Sequence, residues 1–367
     1  MRYALAGSGG QSIQAHVGHR EFPSYEEPPS PVVLPVLGRL RSGDVGLLLF
    51  YLGIGAISAL VWARLADLSA LPLWHADMIG GSAPAPNQYR PLTPWLAHLL
   101  MLLIPAGATM AEYIHKLYAV PREVAGIVAA YVALRTMTTA LIFISFDRYL
   151  RTWFAPPAAA AGSLCLAAIL PFTYLHVVQE SDPINLLVFI LAFWALAEKK
   201  DLLLIPLVLL GALNRETVAL IPALYLAARL GRRPLAEVLW KAAAIGAAWA
   251  AVYLPLVYLV YGRRAYYCDV LMLSSNLSSW VPTAQVLLLF GAMWVLAVVG
   301  ASRGPLLLRR ALWLLPPYLM LHYVVALVIE VRLFLPYAPV IIPLSWWVLF
   351  PEARLQRPQP GGKRRNA

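Results

Sequence analysis

Apolar stretches close to 20 residues long recur from Val45 to Phe350, and each is closed off by a short polar or charged cluster. A helix needs about 20 apolar residues to cross a hydrocarbon core about 30 Å thick, with every backbone polar group bonded inside the segment. The pattern therefore restricts the chain to a bundle of membrane-crossing helices. With 60% hydrophobic and 13% charged residues and a mean hydropathy of +0.69, a soluble globule of this length is excluded. The expected fold is an all-α integral membrane protein.

Threading the apolar stretches through a bilayer gives spans at 45–66, 123–147, 155–172, 184–197, 201–213, 217–230, 236–260, 284–302, 311–329 and 334–350, about ten crossings. Those at 184–197, 201–213 and 217–230 are shorter than a full crossing needs, so they extend into their flanks or are shielded by neighbours. The net charge of +11 is divided into small groups at span ends, which argues against a nucleic-acid partner and makes the charge a reporter of topology. Arg39, Arg41, Arg148, Arg151, Lys199, Lys200, Arg229, Arg232, Arg233, Arg303, Arg309, Arg310 and the tail 363–365 fall on one side, which is then the cytoplasm and holds both termini. The expectation is a multi-pass protein of a cell membrane, such as a bacterial inner membrane.

Residues 1–42 are expected to be a largely disordered cytoplasmic tail without a signal peptide, because Met1 to Pro35 is polar and has no apolar stretch before a small-residue cleavage site. Residues 43–350 form one polytopic domain, and 351–367 a basic cytoplasmic tail. The segment 67–122 is the first external loop. Within it, Trp95 to Met110 is apolar but broken by Pro105 and Gly107; if it crossed, every later basic cluster would change sides, so an interfacial or re-entrant helix is expected. Cys165 and Cys268 have no metal or redox spacing.

The opposite face collects the remaining polar residues. Asp77 precedes Gly80 and Gly81, which let backbone approach a ligand; a partly desolvated carboxylate there suits a general base, although a solvated loop acid fits the same pattern. In NQYRPLTPW, Tyr89 and Arg90 stand ahead of two prolines, and arginine's planar fork suits phosphate or carboxylate, with lipid headgroups as the plainer partner. Asn214, Arg215 and Glu216 of NRET sit in a tight turn between apolar spans, as Glu330 and Arg332 interrupt the run EVRLFLPYAP; buried charges of this kind pair mutually or meet a ligand. Glu180 and Asp182 of QESDP complete the acids, with Asp182 also suited to starting the helix at Pro183. Arg263, Arg264, Tyr266 and Tyr267 either line the lip of a groove for an amphiphilic phosphate or act as interface anchors. Arg135 is the basic residue expected at membrane depth, with a partner that sequence does not name. A sixth cluster runs from Glu112 to Glu123, and the Asn276-Leu-Ser sequon is too short a pattern to carry weight.

With one span, a long first external loop carrying an Asp, an interfacial stretch and many short crossings, the chain resembles the C-type, multi-spanning glycosyltransferase superfamily. The segments that carry the resemblance are Asp77 with NQYRPLTPWL, NRET, and EVRLFLPYAP. It implies inverting transfer of a sugar from a polyprenyl-phosphate donor to a glycan, lipid or protein acceptor on the outer face. Asp77 would be the base, and Arg90, Arg215 and Arg332 would meet the donor phosphate. The first loop lacks the paired acids of metal-dependent members, so a reaction without cofactor or metal is expected, with divalent-metal dependence left open; Glu112, Glu180 and Glu216 are available as a second acid. A lipid or small-solute transporter or flippase, and an envelope polysaccharide polymerase or ligase, are the alternatives. The absence of an internal repeat disfavours the transporter, and the position of the largest external segment, first and not late, disfavours the polymerase or ligase.

Overall fold

The computed structural model describes residues 42–66, 68–103, 108–118, 120–174, 180–266 and 271–355. Of the two expected tails, 1–42 and 351–367, residues 1–41 and 356–367 lie outside the described residues, as do Gln179, Tyr267, Cys268, Asp269 and the Pro105–Gly107 break. The described residues are helical almost throughout, without a β-sheet.

The chain opens with α1 (Ser42–Leu65), followed by the first-loop helices α2 (Leu71–Gly80), α3 (Leu92–Leu103) and α4 (Ala108–Tyr118). Then come α5 (Ala125–Leu150), α6 (Pro156–Ile169), α7 (Ser181–Ala197), α8 (Leu204–Ala212), α9 (Ile221–Arg229) and α10 (Leu235–Pro255). The last part holds α11 (Leu273–Leu277), α12 (Val281–Phe290), α13 (Met293–Ala301), α14 (Leu306–Leu312), α15 (Leu315–Val325) and α16 (Ala338–Leu349). Prolines in the first turn start α2, α6, α9, α12, α15 and α16, where the missing N–H costs no helical bond.

Five helical stretches are long and apolar enough to cross a membrane: Val45–Leu65, Arg122–Leu150, Pro156–Tyr174, Leu235–Val260 and Val331–Leu349. The pair α12 and α13 makes a sixth if it is one bent span. The single helix expected at 284–302 is thus corrected to two, meeting at 61°, because Gly291 takes a positive φ of 51°. Carbonyls near the break are bonded: the Trp294 indole N–H donates to Val286 O (3.1 Å) and Ser345 Oγ to Met293 O (3.0 Å). In the stretch expected as 311–329 the structure has the shorter helices α14 and α15.

Packing sets the order of layers. Val331–Leu349 is the centre, 89% buried in protein, whereas Leu235–Val260 is 11% buried and turns its apolar surface outward. Small residues allow close crossings: a Cβ at Gly55 of α1 would fall 2.9 Å from Ala140 N of α5, and one at Gly300 of α13 would strike Leu344 of α16. Two polar tips find backbone partners where they enter the core, Tyr149 Oη to Pro339 O (2.6 Å) and Trp346 Nε1 to Ala158 O (2.9 Å).

Candidate functional site

Asp77 lies near the C-terminal end of α2. Gly81, in the left-handed region at φ 76°, ends that helix, and its N–H and that of Ser82 both bond the Asp77 carbonyl. Ser82 Oγ donates to Asp77 Oδ1 at 2.9 Å, which orients the carboxylate. Buried Gln88 ties the loop together, donating to Met78 O (3.2 Å) and accepting from Ala83 N (2.8 Å). On the same helix as Asp77, His75 Nδ1 meets Tyr131 Oη at 3.0 Å and stacks on His98 with centroids 5.7 Å apart; burial and the nearby His98 lower its pKa.

The late loop 261–266 docks on this segment. Tyr89 Oη donates to Gly262 O (3.1 Å) and accepts from Arg264 N (2.9 Å), and Ala85 N donates to Ala265 O (3.0 Å). Tyr266 pairs with Ala85 in a β-bridge and stays half exposed. Arg263 lies over the Tyr258 ring, 5.0 Å from its centroid, at the end of the outward-facing helix α10.

Arg90, one residue after Tyr89, reaches the NRET turn. Its Nε donates to Glu216 Oε2 (3.0 Å) and its Nη2 to Glu216 Oε1 (2.5 Å). Next in the turn, Arg215 pairs with Asp182 at the start of α7, and the other Asp182 oxygen accepts from Arg332 Nη1 at 2.7 Å. Arg332 Nη2 then binds Glu330 Oε2 at 2.5 Å. Asn214 is bound in the structure, accepting from Thr93 Oγ1 (2.9 Å) and donating to Ser181 O (2.7 Å), so it fixes the NRET turn against α3 and α7. Arg135, from the middle of α5, bonds Glu180 Oε2 (3.1 Å) and lies between Trp62 and Tyr174, 4.5 and 4.6 Å from their centroids. A cavity of about 20 Å³, room for about one water molecule, borders Arg135, Thr139, Thr173 and Asp182.

These four arginines and four carboxylates sum to zero formal charge, which is how a buried cluster avoids an uncompensated ion. Burial works to raise the Glu216 carboxyl, but Arg90 and Arg215 outweigh it and hold it at about 2. Burial, with Arg90 and Arg332 nearby, lowers Arg215 to about 9, so it stays protonated at neutral pH. Glu180 is raised by burial against the pull of Arg135 and Arg332. The side chain of Glu216 is 33% exposed while that of Arg90 is 6% exposed, so a carboxylate forms the open end of the pair.

Hydrogen bonds and ion pairs thus join the segments around Asp77, Arg90, Asp182, Arg215, Arg264 and Arg332, which are far apart in sequence. Glu112 instead pairs locally with Lys116 (3.1 Å) and Arg122 (2.5 Å), and is lowered by the Lys116 hydrogen bond. Sequence reasoning passed over Ser82, Gln88, the His75–His98–Tyr131 contact and Tyr253, which packs edge-on against Tyr89 (6.2 Å); each is an ordinary residue until a distant partner arrives. Asn276 is buried, its amide donating to Tyr323 O and Ala326 O. Among the described residues no group of three or more His, Cys, Asp or Glu is placed to hold a metal ion. No protein-family model, curated protein or solved structure matches the chain.

Proposed function

We propose that this chain is a membrane glycosyltransferase that moves a sugar from a polyprenyl-phosphate donor to an acceptor hydroxyl on the extracytoplasmic face, with inversion. The observation that carries the reading is the pair Tyr89 and Arg90. Tyr89 bonds the late loop whose Arg264 reaches the Asp77 turn, and Arg90 bonds the arginine–carboxylate cluster, which supports reading the candidate base and that cluster as parts of one site. In this reaction Asp77 takes the proton of the acceptor hydroxyl, whose oxygen attacks the anomeric carbon. The bond from that carbon to the phosphate oxygen breaks, and the phosphate leaves with the electron pair, stabilised by fixed positive charge.

The remaining site residues divide by position. Arg90, Arg215 and Arg332 are the candidate contacts of the donor phosphate, which has to compete with their carboxylate partners Glu216, Asp182 and Glu330, and Asn214 fixes the turn. The outward-facing end of the helix after Pro255, with Tyr258, Leu259 and Val260 exposed, offers apolar surface for the polyprenyl chain beside Arg263 and Tyr266. The proposed topology has about ten crossings with both termini in the cytoplasm and the site outside, in a bacterial inner membrane. Ser82 and Ser302 then lie on opposite sides, and single cysteines at the two positions report it by their labelling with a membrane-impermeant maleimide.

The deciding experiment incubates the purified protein in nanodiscs with a panel of polyprenyl-phosphate sugars and candidate acceptors, wild type beside Asp77→Asn, and follows the donor by mass spectrometry. Donor consumption by wild type and not by the variant is the expected result; equal consumption by both removes Asp77 from the reaction. The broken helix pair at Gly291 favours a second reading as a transporter, since broken helices line transport sites. Transbilayer movement of intact donor lipid in the same nanodisc lipids reconstituted as vesicles, with no product formed, is the outcome that selects it.

A further inference from the structure

The turn that carries Asp77 is held from outside its own helix by Gln88 and, from the late loop, by Arg264. Arg264 Nη2 donates to Gly81 O at 2.5 Å while its Nε donates to Tyr261 O at 3.2 Å, so a single guanidinium bridges the late loop and the first loop. Gly81 is the residue whose N–H caps α2 on the Asp77 carbonyl. Its neighbour Ser82 bonds both the Asp77 carbonyl and the Asp77 carboxylate. The backbone of Arg264 is itself fixed by Tyr89 Oη, which also receives no slack from the other side because it donates to Gly262 O. Gly262 makes this possible with φ 67°, a conformation strained for any residue with a Cβ.

We infer that Arg264 is a positioning residue for Asp77: through the Gly81 carbonyl it fixes the turn that aims the Asp77 carboxylate, and Tyr89 holds Arg264 in place. Because Asp77 is the base only under the glycosyl-transfer reading, the positioning role in catalysis rests on that reading. The role differs from contact with the donor. A guanidinium that binds the donor phosphate sets the donor KM, whereas one that orients the base acts on kcat alone.

The test compares wild type, Arg264→Met, Arg264→Lys and Tyr89→Phe in nanodiscs by two measurements: amide hydrogen exchange over residues 78–83, and donor turnover with a polyprenyl-phosphate sugar and its acceptor. Arg264→Met is expected to speed exchange at Gly81 and Ser82 about tenfold, the loss of one hydrogen bond, and to lower kcat about tenfold at unchanged donor KM. Tyr89→Phe is expected to act in the same direction, and Arg264→Lys, which keeps one donor to Gly81 O, to lie between. Unchanged exchange in Arg264→Met overturns the positioning role whatever the activity. A raised donor KM at unchanged kcat also overturns it and makes Arg264 a donor-binding group. Faster exchange in a protein whose wild type consumes no donor sustains the hold on the turn and sinks the glycosyl-transfer reading instead.

Discussion

Arg90 grips Glu216 through both of its bonded nitrogens, 3.0 Å from Nε to Oε2 and 2.5 Å from Nη2 to Oε1, across 126 positions of chain. The fork matches a carboxylate in the way it would match a phosphate. In the proposed reaction a donor phosphate would compete at Arg90 with a carboxylate already seated, and the exposed end of the pair is the acidic one.

Removing the charge of Asp77 tests chemistry apart from folding. Asp77→Asn keeps an oxygen that accepts from Ser82, so its melting temperature in detergent is expected to match wild type, while donor turnover falls about 10²–10⁴-fold. Turnover within a few-fold of wild type would remove the residue from the mechanism.

Asp182 separates two guanidiniums, Arg215 and Arg332, on its two oxygens. Asp182→Asn leaves them facing an uncharged amide in a buried site, and a loss of about 3–5 kcal/mol in unfolding stability is expected. Glu330→Gln, which strips one partner from Arg332 and leaves Asp182 in place, is expected to cost less. Equal stabilities for the two variants, by denaturation in detergent, would contradict the bridging role.

Arg135 meets both a carboxylate and two aromatic faces. Arg135→Leu strands Glu180 in the interior and is expected to destabilise strongly; adding Glu180→Gln is expected to recover part of the loss, because the stranded charge is then gone. Additive losses in that double-mutant cycle would show that the pair is not coupled.

Acid should weaken the Arg90–Glu216 contact in a defined window. The Glu216 carboxyl is depressed from its ordinary 4.5 to about 2, so its contribution is present above 4.5 and is lost as the pH falls toward 2. The stability difference between wild type and Glu216→Gln is therefore expected to shrink between about pH 5 and about pH 3. A difference that stays constant over that range would mean that Glu216 is not depressed in the folded protein.

The membrane class, the helical fold and the segments holding the charged residues were legible in the sequence. Hydrophobic length and the cost of burying charge are local quantities, and they are written in consecutive residues. Asp182 shows where this stops: beside Pro183 it reads as a helix-start residue, and it does stand in the first turn of α7, but its oxygens belong to arginines 33 and 150 positions away. The partner of Arg135, the break at Gly291 and the clasp between Arg264 and Gly81 likewise appear only when the helices pack. What the sequence determined by itself was that charges set among apolar helices need partners. Which charge neutralises which was decided by the tertiary structure, because ion pairs and hydrogen bonds depend on distances of about 3 Å that no sequence spacing sets.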